Sequence, residues 1–275
     1  MSINNSELNS ELNPENINIK NQHAIKQMTE LGKIAKSIIK DLERLLKSGI
    51  TTEFLNNEAK KLLDKNKVQS ALKIQLKFPK EISVSVNNFI SGCVPSDKQI
   101  LNSGDIVKIN LAITNNNSNN SSNNISNNKY TVDTTQTFIV ENGNLLSNRL
   151  IQTAQQVTQN ALNNIKPNIK LGDLGNAINK SIPKNQNFSI VKDLCGHGIG
   201  ESFIEGTYQV KNEGTPNIGL TLKPGMTFTV EPVISAGKQS IKINPDNSCE
   251  IKDGSLCALF SHTILVTDNG IACLT

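Results

Sequence analysis

The order of the helices and strands predicted from the sequence indicates an α+β fold made of two similar halves. In each half, two helical patterns come before segments that alternate or run apolar as strands do. Apolar residues make up only 36% of the chain, but Asn and Ser explain much of the shortfall, and 275 residues can bury a substantial core. We therefore expect an internally duplicated domain at residues 21–275, with helix, helix and strands in each half.

The first half begins with helices and continues with strands. Apolar residues recur at three- and four-residue steps over residues 23–47, which predicts one helix of about seven turns or two shorter helices. Thr51 is the expected N-cap of a second helix that reaches about residue 66. Strand-like segments follow at residues 82–87, 106–113 and 130–140.

The second half repeats this order. Helical patterns cover residues 150–165 and 174–182. Strand-like segments then follow at residues 188–191, 227–233, 241–243 and 258–266.

Two polar segments lie outside this pattern. Residues 1–20 are predicted to form a disordered polar tail. Residues 115–128 are a low-complexity tract of Asn and Ser interrupted only by Ile125, and such tracts bury too little apolar surface to offset the entropy of ordering. We expect this tract to form an extended, mobile loop between two strands.

Charge and composition argue against several classes of protein. The net charge of +4 is a mild excess without a dense basic patch, which argues against nucleic-acid binding. No apolar segment is long enough to span a membrane, and the polar start has no apolar core, so we expect a cytoplasmic protein. The five cysteines include no CxxC pair, and we expect them to be reduced and buried.

Three side chains that could bind a metal ion lie on or beside predicted strands. Asp133 lies in a strand, His197 lies between two glycines, and Glu231 ends an apolar run just before Pro232. One imidazole and two carboxylates are an adequate ligand set for one divalent cation. Each residue alone is also compatible with a structural role, although a carboxylate in an apolar run such as Glu231 needs a partner.

Several motifs, in order along the chain, resemble the type I methionine aminopeptidases. The two most specific read CGHGIG at residues 195–200 and LKPGMTFTVEP at residues 222–232. The resemblance covers the chain from about residue 19 onward and implies a pita-bread fold around a central cleft. It also implies a metal-dependent hydrolase that removes N-terminal methionine from peptides or nascent chains. The remaining matching segments are residues 78–80, 85–87, 102–109 and 262–270.

The resemblance implies five metal ligands, of which this chain keeps three. The family uses two Asp, one His and two Glu, and three of these positions hold Asp133, His197 and Glu231. The position of the first Asp holds Asn110, and the position of the last Glu holds Ser261. Two of the five ligands implied by the resemblance are therefore missing.

The substrate-binding positions implied by the resemblance are also altered. Two family histidines that assist substrate binding and stabilise the reacting carbonyl are replaced by Gly92 and Ile204. Phe203 and Phe78 remain as the implied substrate-binding side chains, whereas the family tryptophan is missing because the chain contains none. No confident catalytic residue remains to be named.

The missing carboxylates change the chemistry that we expect. Two divalent cations need several anionic ligands, whereas Asn110 offers only a neutral oxygen and Ser261 is too short to bridge two ions about 4 Å apart. We therefore expect one divalent metal at most (Mn, Co, Fe or Zn), or none, held by Asp133, His197 and Glu231.

Two functions follow from this site, and a third stays open. The first is a methionine aminopeptidase-like protein with an incomplete dinuclear site that is inactive or very weak, and that acts by binding peptide or nascent-chain N-termini. The second is an active aminopeptidase that uses a single metal, with Asn110 as an auxiliary ligand. A third is a relative recruited to the ribosome or to a nucleic-acid complex.

Overall fold

The structure, a computed structural model, describes residues 17–115, 129–184 and 186–275. The predicted tail, apart from residues 17–20, lies outside the described residues. The predicted Asn/Ser loop does so as well, apart from Asn115.

Both predicted helix pairs are present, together with one short helix that the sequence pattern does not reveal. The first helix is continuous, but it ends at Glu43 rather than at residue 47, because a tight turn follows in which Leu45 donates to the Leu42 carbonyl. The fourth helix begins earlier than predicted, because the Asn144 side chain caps it at Ser147 N. The helices are α1 Gln22–Glu43, α2 Thr52–Lys65, α3 Ala71–Leu76, α4 Leu145–Asn164 and α5 Leu171–Lys180.

The strands are mostly short, and the last predicted strand is divided in two. In chain order they are β1 Val68–Ser70, β2 Ser83–Val86, β3 Phe89–Ser91, β4 Ile106–Asn115, β5 Thr131–Ile139, β6 Ser189–Ile190, β7 Cys195–His197, β8 Gln209–Lys211, β9 Thr227–Val230, β10 Val233–Ser235, β11 Ile241–Ile243, β12 Cys249–Ile251, β13 Cys257–Leu259, β14 Ser261–Thr267 and β15 Gly270–Cys273.

A seven-stranded antiparallel sheet forms the centre of the fold. Its main path runs β1-β4-β5-β14-β15, with β2 also paired to β4 and β9 also paired to β14. The register places Asn110 of β4 opposite Thr135 of β5, and Thr135 opposite Ser261 of β14. Two positions that are far apart in the sequence are therefore brought into one row beside Asp133, which lies two residues before Thr135.

The helix pairs cover the sheet through two separate apolar clusters. Side chains of α1 and α2 pack with those of β4 and β5, and side chains of α4 and α5 pack with those of β9 and β14. This arrangement of two helix pairs and strands agrees with the predicted α+β fold. Within the residues described, no helix is sufficiently long and apolar to cross a bilayer.

Gly32 lies in the middle of α1, where the helix packs closely against the backbone of Leu274. A Cβ atom at this position would lie 2.1 Å from the backbone oxygen of Leu274, so the helix can approach the final segment only because Gly32 has no side chain. We expect Gly32→Ala to lower the free energy of unfolding by about 2 kcal/mol, although alanine favours helices by about 1 kcal/mol over glycine. Urea denaturation measures this change.

The neighbouring residue provides the control for Gly32→Ala. The Lys33 side chain is 66% exposed and pairs only with Glu30 on the surface, so Lys33→Ala should change stability by less than about 0.5 kcal/mol. A Gly32→Ala protein more stable than the wild type would show that α1 and the final segment are not in close contact.

Candidate metal centre

A cavity of about 100 Å³ is lined by most of the predicted site residues. Strands β4, β5 and β7 and the segment after β9 each contribute to its wall. Its lining includes Asn110, Asp133, His197, Phe203, Ile204 and Glu231.

Asp133 is the most deeply buried of the predicted ligands. The residue is 2% exposed. Burial, and then the negative charge of Glu231, raise the pKa of the Asp133 carboxyl to about 8. The negative charge of Glu231 thus acts on a second carboxyl group in a buried space, which is an arrangement that a cation would stabilise.

Asn110 and Ser261 both turn their polar atoms toward Asp133. The Asn110 amide nitrogen donates to Asp133 Oδ1 at 2.7 Å, and also lies 3.0 Å from Thr135 Oγ1 and 3.3 Å from the Thr134 carbonyl. The Ser261 hydroxyl lies 3.5 Å from Asp133 Oδ2, at the long limit for a hydrogen bond. Asn110 and Ser261, at the positions where the resemblance implies carboxylate ligands, thus both direct hydrogen-bond donors to Asp133.

His197 and Glu231 lie close to each other in the lining of the same cavity. Their nearest atoms, His197 Nε2 and Glu231 Oε1, are 3.8 Å apart. His197 Nδ1 is 2.9 Å from the Gly198 carbonyl oxygen, which can only accept, so Nδ1 donates this hydrogen bond and Nε2 is the nitrogen near Glu231. Glu231 Oε1 is buried and makes no hydrogen bond to any residue in the described ranges. A buried, unpaired carboxylate oxygen beside a free imidazole nitrogen is a good partner for a cation.

The residues present therefore fit one cation better than two. In the described ranges, no three His, Cys, Asp or Glu side chains are already arranged as a metal-binding group. His197 and Glu231 are close to each other, whereas the carboxyl oxygens of Asp133 accept from Asn110 and Ser261. A metal bound by all three predicted ligands would compete with the Asn110 hydrogen bond.

The predicted substrate-binding residues lie in different surroundings. Phe203 lines the cavity, and its ring centroid is 4.9 Å from that of His197. Phe78, like Phe203, packs against the small apolar cluster of Ala71, Leu72 and Ala112, but it is not among the residues that line the cavity. Ile204 lines the cavity and is 37% exposed, whereas Gly92 follows β3, which contributes Ile90 and Ser91 to the wall.

The cysteines are all free, but the expectation that they are buried is only partly right. Cys249 and Cys257 are buried, Cys93 and Cys195 are partly buried, and Cys273 is exposed because it ends the outermost strand of the central sheet. Cys195 lines the cavity, where burial and the charge of Glu231 raise the pKa of its thiol to about 11. A thiol with such a high pKa is a poor nucleophile.

His262 points away from the cavity, as its alternation with Ser261 predicts. It lines a separate cleft on the other face of the sheet, together with Lys36 of α1 and Thr134 of β5. Its Nδ1 atom is 2.5 Å from the Thr275 carbonyl oxygen, and burial lowers its pKa. It is therefore a structural histidine in this arrangement.

Sequence reasoning missed the residues that hold Asp133 in place. Thr135 and Thr263 contact Asn110 and the Asp133 backbone through their hydroxyl groups. Threonine is common in strands, and no local pattern distinguishes these two from other strand threonines. Their role depends on the pairing of β4, β5 and β14.

One imidazole and two carboxylates that line one cavity of an α+β fold are features typical of metallopeptidases with a pita-bread fold. Comparison with known proteins gives the family. Residues 26–268 match the model of metallopeptidase family M24. A methionine aminopeptidase of Buchnera aphidicola (subspecies Schizaphis graminum) is 38% identical over 258 residues, which cover 94% of this chain and 93% of that protein.

Two further relatives agree with this result. The methionine aminopeptidase of Escherichia coli K12 is 33% identical over 261 residues, with 94% of each chain covered. The crystal structure of methionine aminopeptidase from Rickettsia prowazekii superposes with a TM-score of 0.85 at 32% identity and covers 94% of this chain and 99% of that one. The chain therefore belongs to the methionine aminopeptidases of metallopeptidase family M24, a family defined by its use of divalent metal ions.

Proposed function

We propose that this chain is a methionine aminopeptidase homologue with little or no catalytic activity, which holds one divalent cation at most through Asp133, His197 and Glu231. One observation carries the proposal. The Asn110 amide donates to Asp133 Oδ1 at 2.7 Å, at the position where the family resemblance implies a carboxylate ligand. An amide nitrogen that faces the aspartate repels a cation instead of coordinating it.

The carboxyl groups that line the cavity can balance the charge of one divalent cation better than that of two. A second cation would have to share Asp133 with the first and would gain only neutral groups from Asn110 and Ser261. It would also break the amide hydrogen bond. A first cation would not have to break a hydrogen bond at Glu231, because Glu231 Oε1 is buried and has no hydrogen-bond partner among the described residues.

The residues around the cavity supply little help for peptide hydrolysis. The resemblance implies imidazoles at the positions of Gly92 and Ile204, and neither residue present can donate a hydrogen bond from its side chain to a developing oxyanion. Groups that act together in catalysis are strongly non-additive, so the loss of several removes most of the rate enhancement. When bound, the cation would supply Lewis-acid polarisation of a substrate carbonyl.

The ligand that fits this proposal is the N-terminus of a peptide or nascent chain. The cavity of about 100 Å³ is smaller than a usual ligand pocket of about 300 Å³ or more, so it admits only a terminal residue. Phe203 offers an apolar surface beside His197. The ribosome is a further proposed partner, because nascent-chain N-termini emerge there.

The alternative function, an active aminopeptidase with one metal, is favoured by a single feature. His197 Nε2 and Glu231 Oε1 lie 3.8 Å apart, as two ligands of one ion can, and Glu231 Oε1 has no hydrogen-bond partner among the described residues. A single ion at this pair could still activate a water molecule.

Metal content and peptide cleavage separate the two functions. We expect at most one equivalent of Mn²⁺ or Co²⁺ per chain by plasma mass spectrometry after dialysis. We also expect cleavage of a Met-Ala-Ser peptide at a rate at least about a thousandfold below that of the Escherichia coli enzyme assayed in parallel. The His197→Ala variant is the matched control, and it should lose the metal. Two equivalents of metal, with fast cleavage that His197→Ala abolishes, would contradict the proposal.

A further inference from the structure

Thr263 lies at a junction in the central sheet. Along one edge of β14, Ser261 and His262 pair with β5, whereas residues from Ile264 onward pair with β15. Thr263 lies between these two ladders and is completely buried. The backbone of β5 at this point therefore has no regular partner on β14.

The Thr263 hydroxyl replaces the missing backbone pairing at Asp133. The Asp133 N–H donates to Thr263 Oγ1 at 2.9 Å, and the Thr263 hydroxyl donates to the Asp133 carbonyl oxygen, also at 2.9 Å. The Thr275 hydroxyl makes a second, longer bond of 3.1 Å to the same carbonyl and accepts the Thr263 N–H. One hydroxyl group thus satisfies both backbone groups of Asp133.

We propose that Thr263 is a positioning residue that fixes the Asp133 carboxylate at the edge of the cavity. This inference rests on the proposed function in so far as Asp133 is a metal ligand. Metal affinity depends on the groups that orient the ligands, and losing one such group typically weakens binding by ten- to a hundredfold. The two hydrogen bonds hold the Asp133 backbone from both sides, so they restrict where its carboxylate can lie.

The chain offers a matched control on the same strand, β5. Thr137 of β5 makes the same two-way contact with Leu259 of β13, donating to its carbonyl oxygen at 2.5 Å and accepting its N–H at 3.0 Å. Thr137 is 3% exposed, comparable with Thr263, but it does not touch Asp133. Removal of either hydroxyl should therefore destabilise the fold to a similar degree.

The first test is Mn²⁺ binding, measured by isothermal titration calorimetry. We expect Thr263→Val to bind Mn²⁺ at least about tenfold more weakly than the wild type, Thr263→Ser to restore binding, and Thr137→Val to bind as the wild type does. Equal affinity of Thr263→Val and the wild type would overturn the inference, as would an equal loss in Thr137→Val.

The second test does not require a metal, so it separates the inference from the proposed function. Hydrogen exchange by NMR should show the Asp133 amide exchanging on the order of tenfold faster in Thr263→Val, because that amide loses its acceptor. The Val84 amide, which donates to the Cys93 carbonyl, should keep its rate. If the wild type does not bind Mn²⁺, the proposed metal site is wrong but the role of Thr263 is unaffected. If the exchange rate of the Asp133 amide is unchanged in Thr263→Val, the role of Thr263 is wrong.

Discussion

The Asn110→Asp variant is expected to lose about 3 kcal/mol of unfolding free energy when metal is removed with EDTA. The substitution replaces an amide that donates to Asp133, Thr134 and Thr135 by a carboxylate that can donate to none of them when ionised. It also places a third carboxyl group beside Asp133 and Glu231 in a buried space. Denaturant unfolding in EDTA measures the loss.

Added metal should reverse this loss in the Asn110→Asp protein. A cation between the introduced carboxylate and Asp133 would bring back the attraction that the amide supplied, so millimolar Mn²⁺ should raise the unfolding midpoint far more in the variant than in the wild type. Asn110→Ala is the control, because it removes the same hydrogen bonds without adding a ligand. It should be destabilised, but it should respond to Mn²⁺ no more than the wild type does.

The double variant Asn110→Asp/Ser261→Glu extends the same prediction. We expect it to bind two metal ions per chain and to recover little cleavage of methionyl peptides, because the positions of Gly92 and Ile204 still lack imidazoles. Fast cleavage by this variant would show that the histidines matter less than the ligands. An Asn110→Asp protein that unfolds in EDTA at the wild-type midpoint would contradict the role given to the amide.

The Gly92→His variant is expected to lose about 2 to 4 kcal/mol of stability rather than to restore an assisting imidazole. Gly92 has a φ angle of +76°, which side chains rarely adopt, and a Cβ atom there would lie 2.6 Å from the Asn247 carbonyl oxygen. The added residue would have to displace the backbone of the turn between β11 and β12. Thermal and urea denaturation both measure the cost.

Ile204→His is the matched control for Gly92→His. Ile204 is 37% exposed at the rim of the same cavity, so an imidazole can replace the side chain there with a change of less than about 0.5 kcal/mol. Equal stability of the two variants would show that the backbone of the turn at Asn247 can shift at little cost in free energy. The expected difference means that the two lost histidine positions are not equally easy to refill.

The elements that the sequence predicts well are those whose signal is local. The apolar spacing of α1 and the Thr51 cap of α2 are confirmed, since both depend on neighbours within a few residues. The six-residue helix α3 is too short to show a period, and its N-cap Ser70 has no distinctive context in the sequence. The break between β13 and β14 at Phe260 was missed because the apolar run continues across it.

The features of the candidate site also divide into those that local sequence predicts and those that depend on the tertiary structure. The family, the pita-bread fold and the candidate ligands His197 and Glu231 follow from motifs, because each motif is a continuous segment with its own composition, and the candidate ligand Asp133 lies in a strand-like segment. The direction of His262 also follows from strand alternation. These features need no knowledge of which strands are neighbours.

The hydrogen bonds around Asp133 could not be derived in this way. That the Asn110 amide and the Ser261 hydroxyl face this carboxylate, and that Thr263 holds its backbone, depends on the register in which β4, β5 and β14 pair. Strand register is set by contacts between segments that are distant along the chain, so no local pattern contains it. The resemblance implies carboxylate ligands at the positions of Asn110 and Ser261, and the folded chain shows that these two residues contact Asp133.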